Sequence, residues 1–246
     1  ETLFERCLQI AGLADFDFEP ELPGTTRRPD YLVRWQRQEL LFEVKEFRAD
    51  SGEVLAGFGS FDPYPPIREK IESARKKFKD LDGYPCCLVL HNVDKPLILL
   101  DWQHVYGAML GDVGWKVPVN VTREPVELPP PSQAFLSGGK MHRERDGVPI
   151  AAQNTTISAI LVISDYYIGT RRFEAHIRKL SADRGRELTD DERLDELERA
   201  TGTQREPSFR QPRVVVHENP YARIPLPREL FQSDTDERYG GADGRI

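Results

Sequence analysis

Asp30, directly after Pro29, and the run Glu43, Val44, Lys45 inside the apolar stretch ELLFEVKEF are the residues hardest to explain as packing alone. If YLVRW (31–35) and ELLFEVKEF (39–47) form an antiparallel hairpin with its tip at Gln36 to Gln38, residues 30 and 43 are nearly equidistant from the turn. Asp30 then faces the neighbourhood of Glu43 and Val44. The two-residue period of a strand puts Glu43 and Lys45 on one face, while Phe42, Val44 and Phe47 are assigned to the other, in a core. A buried lysine beside two carboxylates is costly unless the charges are balanced. A bound divalent cation is one way to balance them; a plain Glu43–Lys45 ion pair is the competing reading.

Several elements must position these groups. Residues 2–13 place Leu3, Phe4, Cys7, Leu8, Ile10 and Ala11 at helical spacing, with Gly12 as a stop. A short strand near 16–19 and the turn-rich PELPGTTRRPD lead into the hairpin. The Gly- and Pro-dense segment 48–66 reads as an irregular excursion, a candidate flap. After Pro65 and Pro66, the stripe Ile67, Ile71, Ala74, Phe78, Leu81 predicts a helix over 67–81. YPCCLVLHN (84–92) follows as a continuous apolar run of strand length, the pattern of a strand buried on both faces. The second half offers a strand and then a helix in 96–110, a Pro- and Gly-rich connection over 113–140, and a strand in TTISAILVIS (155–164). A helix in RRFEAHIRKL is followed by an acidic surface helix opened by a Thr189/Glu192 capping box, and a last strand begins at RVVVHE. No internal repeat is present.

Pro29, Asp30, Glu43 and Lys45, with a hydrophobic strand around the second acid, resemble the signature of the PD-(D/E)XK nuclease superfamily, whose fold is restriction-endonuclease-like. The order helix, three strands, helix, strand over residues 2–91 resembles its αβββαβ core. The resemblance implies one α/β domain over 1–246, with a mixed central sheet flanked by helices in a core of about 1–95 and C-terminal additions over about 96–246. It also implies a two-carboxylate cradle in which Asp30 and Glu43, with the main-chain carbonyl of Val44, hold Mg²⁺ or Mn²⁺. Such hard cations take oxygen ligands and keep several waters. The metal would acidify a bound water and neutralise charge on the attacked phosphate, while Lys45 orients the nucleophile or helps to deprotonate it. Families of this fold often add a glutamate from the first helix, here Glu5 with Glu1 as the alternative. They often add a polar residue from the second, here Lys77 with Lys70 beside it. For each of these the plain reading is a solvated surface charge. The activity implied is hydrolysis of phosphodiester bonds in DNA, RNA being second, in defence or repair, with nucleic acid as partner and a homodimer left open. Two other readings stay open: a non-catalytic nucleic-acid-binding or assembly module that keeps the fold, and an enzyme acting on a small nucleotide.

Composition limits the alternatives. With 39% hydrophobic and 30% charged residues, no apolar run approaches the roughly 18 to 20 residues of a membrane span. ETLFERCLQIAGL is amphipathic and unlike a secretory leader, so a cytoplasmic location is expected. Cys7, Cys86 and Cys87 make no disulfide framework or metal knuckle, and the five histidines have no ligand spacing. The net charge of −7 and pI near 5.4 argue against a polyanion partner. The charge is segregated, however. Residues 188–200 hold six acids against two arginines, and residues 67–79 hold six basic residues against two acids. Ser73/Lys76 reads as helix surface. Gly138, Gly139 and Lys140 are followed by Met141, where a phosphate loop needs Ser or Thr. The sequons at Asn120 and Asn154 carry meaning only in a secreted chain.

Overall fold

Tyr31 pairs with Phe42 and Trp35 with Gln38 in an antiparallel hairpin whose two-residue turn is Gln36 and Arg37. Gln36 adopts the left-handed conformation, φ 53°, that such a tight reversal requires. The computed structural model describes residues 2–23, 25–49, 62–95, 97–111, 113–116, 132–135, 138–145, 148–164, 170–201 and 212–240. Glu1, most of the expected flap and the sequon at Asn120 lie outside the described residues.

The elements run α1 (Leu3–Ile10), β1 (Phe16–Phe18), β2 (Tyr31–Trp35), β3 (Gln38–Phe47), α2 (Tyr64–Phe78) and β4 (Cys86–Asn92). Then come α3 (Trp102–Leu110), β5 (Val113–Lys116), β6 (Ser132–Phe135), β7 (His142–Arg145) and β8 (Val148–Ala152). The chain continues with β9 (Ile157–Ser164), α4 (Thr170–Arg184), α5 (Asp190–Thr201), β10 (Arg213–Glu218) and β11 (Glu237–Tyr239). One mixed sheet has the order β1-β2-β3-β4-β9-β10-β11, and β5-β6 and β7-β8 are separate antiparallel ribbons. The β3/β4 and β4/β9 pairs are parallel, while β1/β2, β2/β3 and β9/β10 are antiparallel. The protein is therefore α/β. Residues beyond 95 supply β9, β10 and β11 to the same sheet that carries the hairpin.

The central strands of the sheet are buried on both faces. Ile67, Ile71, Ala74 and Phe78 of α2, all fully buried, pack with Val105, Ala108 and Met109 of α3 over Leu41, Leu88, Leu90 and Ile160. The prolines sit in the first turn of α2, where no main-chain donor is needed. On the other face Phe4, Cys7 and Leu8 of α1 cover Val33, Phe42, Val89 and Leu161, with Leu226, Leu230 and Phe231 alongside. Ile10 is 45% exposed, so the α1 stripe is shorter than the sequence predicts. A second correction concerns Phe47. It shares the α2-facing surface of β3 with Leu41, Glu43 and Lys45, because 43, 45 and 47 have the same parity. Both sheet faces are core, so a phenylalanine and a carboxylate can share one of them.

Candidate active site

The hairpin register that matches Tyr31 with Phe42 sets Asp30, one residue before β2, opposite Glu43. β2 ends there as a pairing strand, and the side chain of Asp30 takes over from its backbone: Val44 donates its main-chain N–H to Oδ2 of Asp30 at 2.7 Å. In an antiparallel pair a residue's N–H and C=O point to the same neighbour. The Val44 carbonyl is thus directed toward the Asp30 side of β3. The main chain of Asp30 is held from the opposite side by Glu19, which donates its N–H to the Asp30 carbonyl at 2.9 Å.

Glu43 is 1% exposed, on a surface otherwise lined by Leu41, Leu88 and Phe47. Two lysines hold its carboxylate. Lys45 donates to Oε1 at 2.6 Å, and Lys77, reaching from α2, brings its Nζ to 3.4 Å from Oε2. The second contact is an ion pair without hydrogen-bond geometry, and buried Oε2 has no hydrogen-bond donor. Lys70, two helical turns before Lys77, lies with its Nζ 5.4 Å from the centre of the Phe47 ring. The sequence candidates Asp30, Glu43, Val44 and Lys45 are therefore neighbours, and Lys77 touches the same carboxylate.

Glu5 is engaged differently. Its Oε2 accepts the main-chain N–H of Thr2 and its Oε1 the hydroxyl of Tyr31, while Thr2 Oγ1 accepts the Glu5 N–H. This is a complete capping box at the head of α1. The Thr2-x-x-Glu5 spacing is the signal that identifies it, the same spacing read correctly at Thr189 and Glu192. Tyr31 follows Asp30 in the chain. Burial, then the charges of Glu5 and Asp30, raise its hydroxyl above the ordinary phenol range against the lowering effect of Thr2.

Among the described residues no group of three or more His, Cys, Asp or Glu side chains is placed to hold a metal ion. The available donor set is two carboxylates and a main-chain carbonyl. It suits a hard cation that keeps waters and shares its remaining positions with a phosphate, and the donor-free Oε2 of Glu43 is an acceptor that such an ion would use. Two surface clefts lie elsewhere, one of about 540 Å³ at the hairpin tip and one of about 590 Å³ beside β1, and both are lined by Arg34, Glu39 and Tyr84. Arg34 is tied there to Asp15 and Asp17. None of the described helices is long and apolar enough to cross a membrane. Comparison with protein-family models, with curated proteins and with solved structures finds no match in any of the three.

Proposed function

We propose that this protein is a metal-dependent nuclease of the PD-(D/E)XK type, with a restriction-endonuclease-like core over about residues 1–95, acting on DNA in preference to RNA. The observation that carries this reading is the juxtaposition of Asp30 and Glu43 across the hairpin, with Lys45 bonded to Glu43 on the same face. Asp30, Glu43 and the Val44 carbonyl are the groups that would hold Mg²⁺ or Mn²⁺. The ion, when bound, supplies Lewis-acid stabilisation of phosphate charge and a more acidic water. The chain's own residues do the rest. The Val44 N–H fixes the rotamer of Asp30, burial of Glu43 keeps its carboxylate in one place, and Lys45 offers a proton donor or acceptor beside it. The pair β3/β4 is parallel, and Lys45 and Phe47 stand at its carboxyl end, the usual location of ligands in α/β sheets. Lys70 and Lys77 give that end a cationic rim for phosphates.

A second reading has one observation in its favour: both oxygens of Glu43 already face lysines, so the site is charge-balanced without a cation. A non-catalytic nucleic-acid-binding module would keep such a cluster. One experiment separates the two. Single-stranded, duplex and structured DNA and RNA are incubated with the protein and Mg²⁺ or Mn²⁺, with and without EDTA, beside the Asp30→Asn variant. Metal-dependent cleavage lost in Asp30→Asn is expected. Binding with no cleavage across that set would leave the module reading.

A further inference from the structure

The two lysines on Glu43 are not equivalent. Lys45 is a strand neighbour, hydrogen-bonded at 2.6 Å. Lys77 comes from a different element, stays 35% exposed, and stands 3.4 Å from Oε2 without a hydrogen bond. Of the two contacts, the second is the looser, and it covers the oxygen that a cation would need. Asp30, Glu43, Lys45 and Lys77 together carry no net charge, so a divalent ion entering that set meets no net attraction while Lys77 stays in place. A phosphodiester arriving at the same mouth offers the Lys77 ammonium a solvated anionic partner in exchange for a buried one. Lys70 and Ser73 lie on the same face of α2, at the i−7 and i−4 positions from Lys77, so a phosphate that reaches Lys77 has a second cation and a hydroxyl along the same helix face.

We propose that Lys77 is an exchangeable counter-ion: it holds Oε2 of Glu43 in the metal-free protein and transfers to a phosphate oxygen when nucleic acid binds, so that cation and nucleic acid bind cooperatively. This rests on the nuclease reading above and adds a regulatory role for Lys77, a positioning residue that acts through Glu43. Its consequence is that free cation alone binds weakly and the site assembles on its substrate. Coupling of this kind between two ligands is typically about 5- to 150-fold.

The test is a calorimetric titration of the full chain with Mn²⁺, with and without phosphorothioate DNA, single-stranded or duplex, which binds but resists cleavage. Wild type, Lys77→Met, Lys77→Arg and Asp30→Asn are compared. Lys77→Met keeps the aliphatic stem over the sheet, and Lys77→Gln carries the same comparison if Lys77→Met melts early. Without DNA, Mn²⁺ is expected to bind Lys77→Met about 5- to 150-fold more tightly than wild type, with Lys77→Arg near wild type. Adding DNA is expected to tighten Mn²⁺ binding to wild type by a comparable factor and to tighten it clearly less in Lys77→Met, where only a phosphate ligand shared with the ion couples the two. Equal Mn²⁺ affinity in wild type and Lys77→Met, with Asp30→Asn weaker than both, overturns the exchange while leaving the nuclease reading standing. Tighter binding in Lys77→Met that DNA does not reproduce in wild type also overturns it. Mn²⁺ binding that Asp30→Asn does not weaken removes the nuclease reading itself.

Discussion

Val44 gives its main-chain N–H to Oδ2 of Asp30 at 2.7 Å, so the aspartate that faces Glu43 is also the group that completes the edge pairing of β3 where β2 stops. One carboxylate thus serves the strand with one oxygen, and its other oxygen is the one the proposed metal would use. The structural role and the proposed metal-binding role are separable at this residue, because an amide oxygen can accept the same hydrogen bond without bringing charge.

Asp30→Asn is accordingly expected to keep the fold, losing under about 1 kcal/mol, while Asp30→Ala strands the Val44 N–H and loses about 1 to 3 kcal/mol. Both are expected to abolish metal-dependent cleavage. Urea unfolding of the two variants in EDTA, beside cleavage rates in Mn²⁺, checks the difference. Equal stability losses would show that the Val44 contact does not hold the strand end.

Glu5→Gln is expected to leave both fold and cleavage near wild type. Glutamine replaces glutamate in a capping box, and the Glu5 oxygens are engaged by Thr2 and Tyr31. Thr2→Ala, which removes the cap itself, is expected to cost about 1 kcal/mol. Thermal melting and cleavage rates distinguish these effects. A Glu5→Gln protein that melts normally but cleaves far more slowly would bring Glu5 into the site.

The parts of the fold that were legible in the sequence are those with strong periodicity or tight register. The α2 stripe Ile67, Ile71, Ala74, Phe78 admits one face, and the continuous runs of β4 and β9 fit strands buried on both sides. The hairpin is legible too, but its turn is Gln36 and Arg37, one residue shorter than the tip Gln36 to Gln38 that the polar run suggests, and that difference sets Asp30 opposite Glu43 itself. Phe47 lies on the face of the charged pair rather than opposite it, because strand parity, not side-chain polarity, decides the face. β11 is three residues long with no apolar pattern, and the ribbons β5-β6 and β7-β8 sit in Pro- and Gly-rich sequence, so neither announces itself. α5 is the surface helix its acidic sequence suggests, but its leucines face solvent, Leu194 being 55% exposed, and Glu196 is buried instead. That carboxylate faces His176 of α4 and bonds Arg199, partners that hydropathy does not reveal.

Acid should weaken the protein through His217. The ring is fully buried between Tyr106 and Tyr239, neither nitrogen has a hydrogen-bond partner, and burial pushes its pKa down to about 3. The unfolded chain takes up the proton near pH 6.5, so between that pH and about 3 the unfolded state binds more protons than the folded one. Stability contributed by this group therefore falls as pH drops through that window, on the order of 1.4 kcal/mol per unit at most. His217→Phe is expected to flatten the slope between pH 6 and about 4 relative to wild type. Denaturant midpoints across the window, with unchanged slopes in the two proteins, would show that His217 is not a source of acid sensitivity.

Lys45 separates a structural ion pair from a working site most sharply. Removing one partner of a buried pair typically costs about 3 to 5 kcal/mol, because the other charge is left uncompensated. Here Lys77 still faces Glu43 after Lys45→Ala, and Lys45 is itself 27% exposed, so the cost in EDTA is expected to fall below that range. Mn²⁺ should then restore stability by mass action, at least as much as in wild type, since a competing positive charge has gone; Asp30→Ala should gain little. Cleavage by Lys45→Ala is expected to drop about 10²- to 10⁴-fold, the usual contribution of a positioned proton-transfer group. Melting temperatures with and without Mn²⁺ for the three proteins, read beside cleavage rates, carry the comparison. A Lys45→Ala protein that unfolds regardless of metal would make the pair structural, and one that cleaves as fast as wild type would remove Lys45 from the chemistry.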